Sequence, residues 1–192
     1  PCWVSYVEMV KIAQGKSVLV KTTMENNFCI TAEQLEQAIT PNTKLLMLCT
    51  PNNPTGSVYS YENLKAIVEV LKQHPQIIVL ADEIYQHILY TGKHETLAQF
   101  PELEDRLIII NGVSKAYAMT GYRIGWLACH DKDFITAVKR LQGQTISCAT
   151  TIAQKAAEAA YAGTHQSKHN QNNCIHFNTP SGKTQPDHRY WS

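Results

Sequence analysis

No stretch of the 192-residue sequence approaches the roughly eighteen consecutive apolar residues that a membrane-spanning helix needs. No charged, apolar and small-residue succession marks a secretory leader either, so a soluble, cytoplasmic setting is expected. An excess of one charge is also missing. Seventeen Lys and Arg face sixteen Asp and Glu, a net of +1, which offers no electrostatic footprint for nucleic acid or an anionic membrane. Six cysteines are present, but no Cys-x-x-Cys pair, which speaks against a disulfide framework or a zinc site. Three of them, Cys29, Cys49 and Cys129, sit in apolar, strand-like surroundings and are expected to be buried, reduced thiols. There is no internal repeat, no Gly-x-Gly-x-x-Gly after the first strand and no Walker lysine motif, which argues against a nucleotide-binding domain.

What the chain does have is a length and an apolar content, 44%, sufficient for one domain with a hydrophobic core. From Ser17 to His130, short β-rich runs alternate with helical periodicity, which predicts an α/β fold: a mostly parallel sheet sandwiched by helices. A strand is expected around Ser17–Lys21. A short helix follows, opened by the Thr31-x-x-Gln34 capping box, with Leu35, Ala38 and Ile39 on one face. Lys44–Cys49 reads as a buried strand, closed by Thr50-Pro51-Asn52-Asn53-Pro54-Thr55-Gly56, which can only be a loop. Ser60 caps a helix that places Leu64, Ile67, Val68 and Leu71 at helical spacing and ends near His74-Pro75. Strands are expected at Ile77–Ala81, Leu107–Ile110 and Ile124–Cys129, and helices at Phe134–Leu141 and Ile152–Tyr161. After Gly163 the pattern stops. Residues 164–192 are polar and aperiodic and hold four of the eight histidines (His165, His169, His176 and His188) without a metal-ligand spacing. They read as a disordered or unrelated tail beyond a domain formed by residues 1–163.

The chemistry-bearing residues cluster at predicted strand ends, where open α/β sheets place ligands. Asp82 follows one apolar run, and Lys115 follows another within Ser114-Lys115-Ala116-Tyr117-Ala118-Met119-Thr120-Gly121-Tyr122-Arg123. A lysine in a partly desolvated pocket can present a neutral amine able to condense with an aldehyde. Taken singly, Lys115 could be a surface lysine, Asp82 a helix cap, Tyr85 and Trp3 core aromatics. Glu83 and Lys93 read as solvated faces or caps.

Taken together, Asn53-Pro54-Thr55-Gly56, then Asp82-x-x-Tyr85, then Ser114-Lys115 and Arg123 resemble the class I, fold type I aminotransferases, particularly the aspartate aminotransferase branch. That resemblance implies pyridoxal 5′-phosphate (PLP) as cofactor, held by Lys115 as a Schiff base, with Lys115 also moving the substrate proton. It further implies that Asp82 keeps the pyridine nitrogen protonated, and that Tyr85 and Asn53 bond the phenolic oxygen. Ile84 and Trp3 would cover the two faces of the ring. Arg123 would grip the phosphate with a planar fork, and Ser114 would add a hydroxyl, since Gly112 stands where many relatives carry a serine. Cys2 and Val7 fall where relatives commonly have tyrosine and proline. The implied substrates are an amino acid, aspartate-like or otherwise small, and a 2-keto acid. The implied active form is a homodimer without a metal. Relatives are about twice as long, so the expectation is a central segment lacking the N-terminal part and the small domain, as a truncated or frame-shifted product would. An inactive fragment and a C–S lyase or ACC-synthase-like elimination enzyme are the alternative readings.

Overall fold

The computed structural model of the chain describes residues 1–163. The expected tail, with its four histidines and Cys174, lies outside the described residues. Helix α3, Tyr61–Lys72, shows how local signals set the architecture. Ser60 accepts a hydrogen bond from the Asn63 amide at 3.2 Å, and Asn63 answers with its own side chain, so two of the orphan donors of the first turn are satisfied. Leu64, Ile67, Val68 and Leu71 then fall on one face and are at most 1% exposed. Each such side chain stabilises the fold by roughly 1.5–3 kcal/mol relative to exposure. The far end is closed by Arg106, whose guanidinium donates to the carbonyls of Leu71 and His74 at 2.7 Å and of Ile77 at 3.1 Å.

This helix packs on a sheet of four strands, β1 (Leu45–Cys49), β2 (Ile78–Asp82), β3 (Leu107–Gly112) and β4 (Gly125–Ala128), in that spatial order. The first three are parallel and β4 runs antiparallel to β3. The mostly parallel α/β architecture is therefore as expected. Helix α2, Ala32–Ala38, opens on the Thr31–Gln34 capping box. Helix α5, Thr151–Ala162, sets Ala157 and Ala160 against Val113, Ala116, Tyr117 and Met119 in a second core cluster. Helix α4 spans Lys132–Thr145 and buries no residue.

Several expectations are corrected. Ser17–Lys21 is not a strand: no ladder partner meets it among the described residues, and Val18 and Leu19 stay exposed. An apolar run becomes a strand only when a neighbour in register pairs its backbone. The β2 run is displaced by one residue, so Asp82 is its last member rather than the residue beyond it. Helix α1, Ser5–Ile12, was not foreseen. Among the thiols, Cys29 and Cys49 are buried while Cys129 is only half-buried, and the five described cysteines are free. Burial pushes the thiols of Cys29 and Cys49 up from their ordinary value, and at Cys49 the Asp82 charge adds to it. No helix is long and apolar enough to cross a membrane among the described residues.

Candidate functional site

The parallel register puts Cys49, Asp82 and Ile110 side by side at the carboxyl edge of the sheet. The segments that follow β1, β2 and β3 therefore leave the same edge, which is the usual ligand position of such sheets. After β1, the Thr50 amide donates to the Asp82 carbonyl at 3.1 Å, extending the ladder by one bond. The loop then folds on itself. The Asn52 amide donates to the Ser57 carbonyl and the Gly56 amide to the Asn52 carbonyl, both at 2.8 Å. Gly56 takes φ +72°, a left-handed value that glycine adopts without steric cost. The Asn52 side chain locks the loop by donating to Thr55 Oγ1 at 2.8 Å and to the Pro1 carbonyl at 3.1 Å. Asn53 is thereby offered to a cavity of about 270 Å³ whose walls include Pro54, Val58, Tyr85, Ile88 and Tyr90.

The Asp82 carboxylate is held at both oxygens. Tyr6 donates its hydroxyl to Oδ2 at 2.6 Å and the Ile84 amide donates to Oδ1 at 3.2 Å. The second bond shows Asp82 capping the turn that follows β2, not a helix. Burial, then the hydrogen bond and charge of Asp82, push the Tyr6 phenol well above the ordinary tyrosine range, so it stays a proton donor. An ionised carboxylate has about four lone-pair sites, so acceptor capacity remains for a further cationic donor. Tyr6 also meets Trp3 edge-on, ring centroids 5.4 Å apart. Tyr6 escaped the sequence reading. Its Trp-x-x-Tyr spacing to Trp3 was the only local hint, and nothing in the sequence pairs it with a residue 76 positions away.

Lys115 sits on a turn after β3, half-buried, its Nζ 5.7 Å from the centroid of the Tyr85 ring. No carboxylate comes within ion-pair distance of it among the described residues. The neighbouring Val113, Ala116, Tyr117 and Met119 are buried, which makes the turn a packed pedestal. Ser114 is half-buried beside it. The glycine at 112 is forced: a Cβ there would come within 2.9 Å of the Gly125 Cα and the Ile124 carbonyl, and within 3.4 Å of Ile84 Cδ1. A serine hydroxyl cannot be carried at that position while β4 approaches so closely.

The structure thus brings Asn53 and Tyr85 to one cavity, Lys115 to Tyr85, and Trp3 and Ile84 to Asp82 through Tyr6 and the backbone. Arg123 stands apart. It is exposed, takes φ +53°, and donates to the Thr120 carbonyl at 2.9 Å. Glu83 overturns its reading as a solvated or capping residue, being 2% exposed and enclosed by hydrogen bonds. Lys93 is exposed, as expected, and pairs with Glu95 at 2.8 Å.

Comparison with known proteins gives the same reading. The profile of the family "Aminotransferase class I and II" matches residues 1–179. An aspartate aminotransferase of Geobacillus stearothermophilus is 49% identical over 165 residues, covering 85% of this chain and 42% of that protein. An aspartate/prephenate aminotransferase of Nitrosomonas europaea is 47% identical over 165 residues, covering 85% and 41%. The crystal structure of the aspartate aminotransferase from Rhizobium meliloti superposes with a TM-score of 0.83 at 43% identity, over 86% of this chain and 42% of that one. The chain therefore spans about two fifths of the length of these relatives. On profile, identity and fold alike, it belongs to the class I and II aminotransferases, a family that uses PLP.

Proposed function

We propose that residues 1–163 form the PLP-holding part of an aminotransferase acting between an aspartate-like or other small amino acid and a 2-keto acid. The observation that carries this reading is the Lys115 amine 5.7 Å from the ring centroid of Tyr85, which lines one cavity with Asn53 near the sheet edge where Asp82 ends β2. The donor set fits the cofactor. Asp82 keeps acceptor capacity for a protonated ring nitrogen, Asn53 and Tyr85 can donate to a phenolate, and Lys115 is an amine without a carboxylate partner among the described residues. Bound PLP supplies an aldehyde and an electron-accepting ring.

The chain's own residues then do four things. Lys115 would hold the cofactor through its amine and would carry the proton to and from the substrate Cα. Asp82, oriented by Tyr6 and the Ile84 amide, would favour positive charge at the ring nitrogen. Ile84 and Trp3 would cover the ring faces and Ser114 would hold the phosphate, joined by Arg123 only if its guanidinium leaves the Thr120 carbonyl that it bonds here. A homodimer in the cytoplasm is the assembly and setting that accompany this reading. Added PLP should produce an absorbance band that borohydride fixes onto Lys115, and Lys115→Ala should abolish it. A spectrum that PLP leaves unchanged would end the claim.

A second reading keeps the cofactor but denies turnover to this chain alone. It is favoured by α1 and α4, none of whose residues is fully buried and which leave Met9, Ile12 and Leu141 exposed. Steady transamination by the purified chain would exclude it.

A further inference from the structure

Glu83 is a buried carboxylate that none of the roles above uses. Burying an ionised group is costly unless it is paired and hydrogen-bonded, and here one side chain takes up three donors. Oε2 lies 3.0 Å from His94 Nε2, and Oε1 accepts from Thr96 Oγ1 at 2.8 Å and from the Leu97 amide at 3.4 Å. Its backbone is equally engaged. The Glu83 amide donates to the Ile110 carbonyl of β3 at 2.9 Å, and its carbonyl accepts from the Gln86 amide at 2.9 Å.

These bonds join two ends of one segment. The chain leaves the turn at Ile88, whose amide donates to the Tyr85 carbonyl at 2.8 Å, and returns to the same turn at His94–Leu97 through the Glu83 side chain. In between, Ile88, Leu89, Tyr90 and Thr91 wall the cavity that contains Asn53 and Tyr85, and Gly92 reverses the chain at φ +71°. None of residues 88–93 is buried, and Tyr90 is 83% exposed, so this strap has little apolar packing of its own. Its position depends on its ends.

We infer that Glu83 is a positioning residue, which clamps the strap 88–96 against the turn bearing Asp82 and Tyr85 and so fixes the cavity wall opposite Asn53. The assignment of that cavity to the cofactor rests on the function proposed above; the clamp itself does not. A carboxylate suits the place because it is acceptor-only and can serve all three donors at once.

Amide hydrogen exchange on the full chain tests it, with α3 as internal control. Glu83→Ala should speed exchange in residues 88–93 by roughly ten- to a hundredfold and leave α3 unchanged, since local opening is governed by local bonds. Thr96→Val, which removes one bond and is mild enough to fold, should give a smaller rise in the same peptides. Glu83→Gln, which keeps an acceptor for Thr96, should fall between wild type and Glu83→Ala. In a parallel titration, Glu83→Ala should weaken PLP capture by about tenfold while Lys115 remains the residue fixed by borohydride. Unchanged exchange at 88–93 in both Glu83→Ala and Thr96→Val would overturn the inference, as would a rise spread equally into α3. A wild-type chain that ignores PLP while its strap responds to Glu83→Ala would sink the cofactor reading and leave the clamp standing.

Discussion

Helices α1 and α3 both carry apolar residues at helical spacing, yet they are anchored in opposite ways. Helix α3 is capped by Ser60, closed by Arg106 and buries four side chains in the main core. Helix α1 has no side-chain cap, contains no fully buried residue, and leaves Met9 and Ile12 in solvent. What ties its segment to the domain is polar and lies at the candidate site: Tyr6 on Asp82, and the Pro1 carbonyl on Asn52. The difference separates a helix that builds the sheet's support from one whose hydrogen bonds run to the candidate site, and it can be broken experimentally.

The largest effect should come from the core. Ile67→Ala removes a fully buried side chain from α3 and should cost about 2–5 kcal/mol, read as a lowered urea midpoint with unchanged slope. Ile12→Ala in α1, where the side chain is 84% exposed, should stay within about 0.5 kcal/mol. Equal losses at the two positions would mean that α1 has an apolar support not seen here.

A smaller effect is expected where site and sheet meet. Gly112→Ser puts a hydroxyl three residues before the lysine, but its Cβ would press on the Gly125 Cα and the Ile124 carbonyl, both backbone atoms with no flexible end to move aside. Overpacking of this kind costs about 1–3 kcal/mol. The variant should therefore melt earlier and gain no PLP affinity; tighter PLP binding at unchanged stability would show that β4 yields.

How much of this could be read from the sequence follows from the range of each interaction. Helices α2 and α3 were legible because cap and apolar period lie within a dozen residues, and the loop 50–56 because two prolines and a glycine exclude any regular element. Pairing is non-local, so the Ser17–Lys21 run looked like a strand until the sheet offered it no neighbour, and the antiparallel entry of β4 left no trace in its composition. The site divides in the same manner. Lys115, Asp82, Tyr85 and Asn53 stood out through motifs whose order resembles a family's. Tyr6 and Glu83 did not, because their meaning arises only when α1 reaches Asp82 and when the strap returns to the turn. Arg123 was legible as a motif residue, but its exposed side chain bonds the Thr120 carbonyl, which a linear pattern cannot foretell.

The smallest expected effect bears on that hidden contact. Tyr6→Phe deletes one hydrogen bond to a partly buried carboxylate and should cost about 1 kcal/mol near pH 8. The sign of its pH dependence follows from the phenol. Folded Tyr6 holds its proton far above the ordinary tyrosine range, whereas the unfolded chain releases it near pH 10. The stability from this group is thus fully present below about pH 10 and declines as pH rises, by about 1.4 kcal/mol per further pH unit. By pH 11 the wild type should have lost its advantage over Tyr6→Phe. Tyr59 and Tyr117, both pushed up to about 12 by burial, weaken both proteins alike in alkali and cancel from the comparison. Urea midpoints at pH 8 and pH 11 decide it: a gap between the two proteins that widens with pH would mean that Tyr6 does not donate to Asp82, and that α1 is held to the site by something other than this bond.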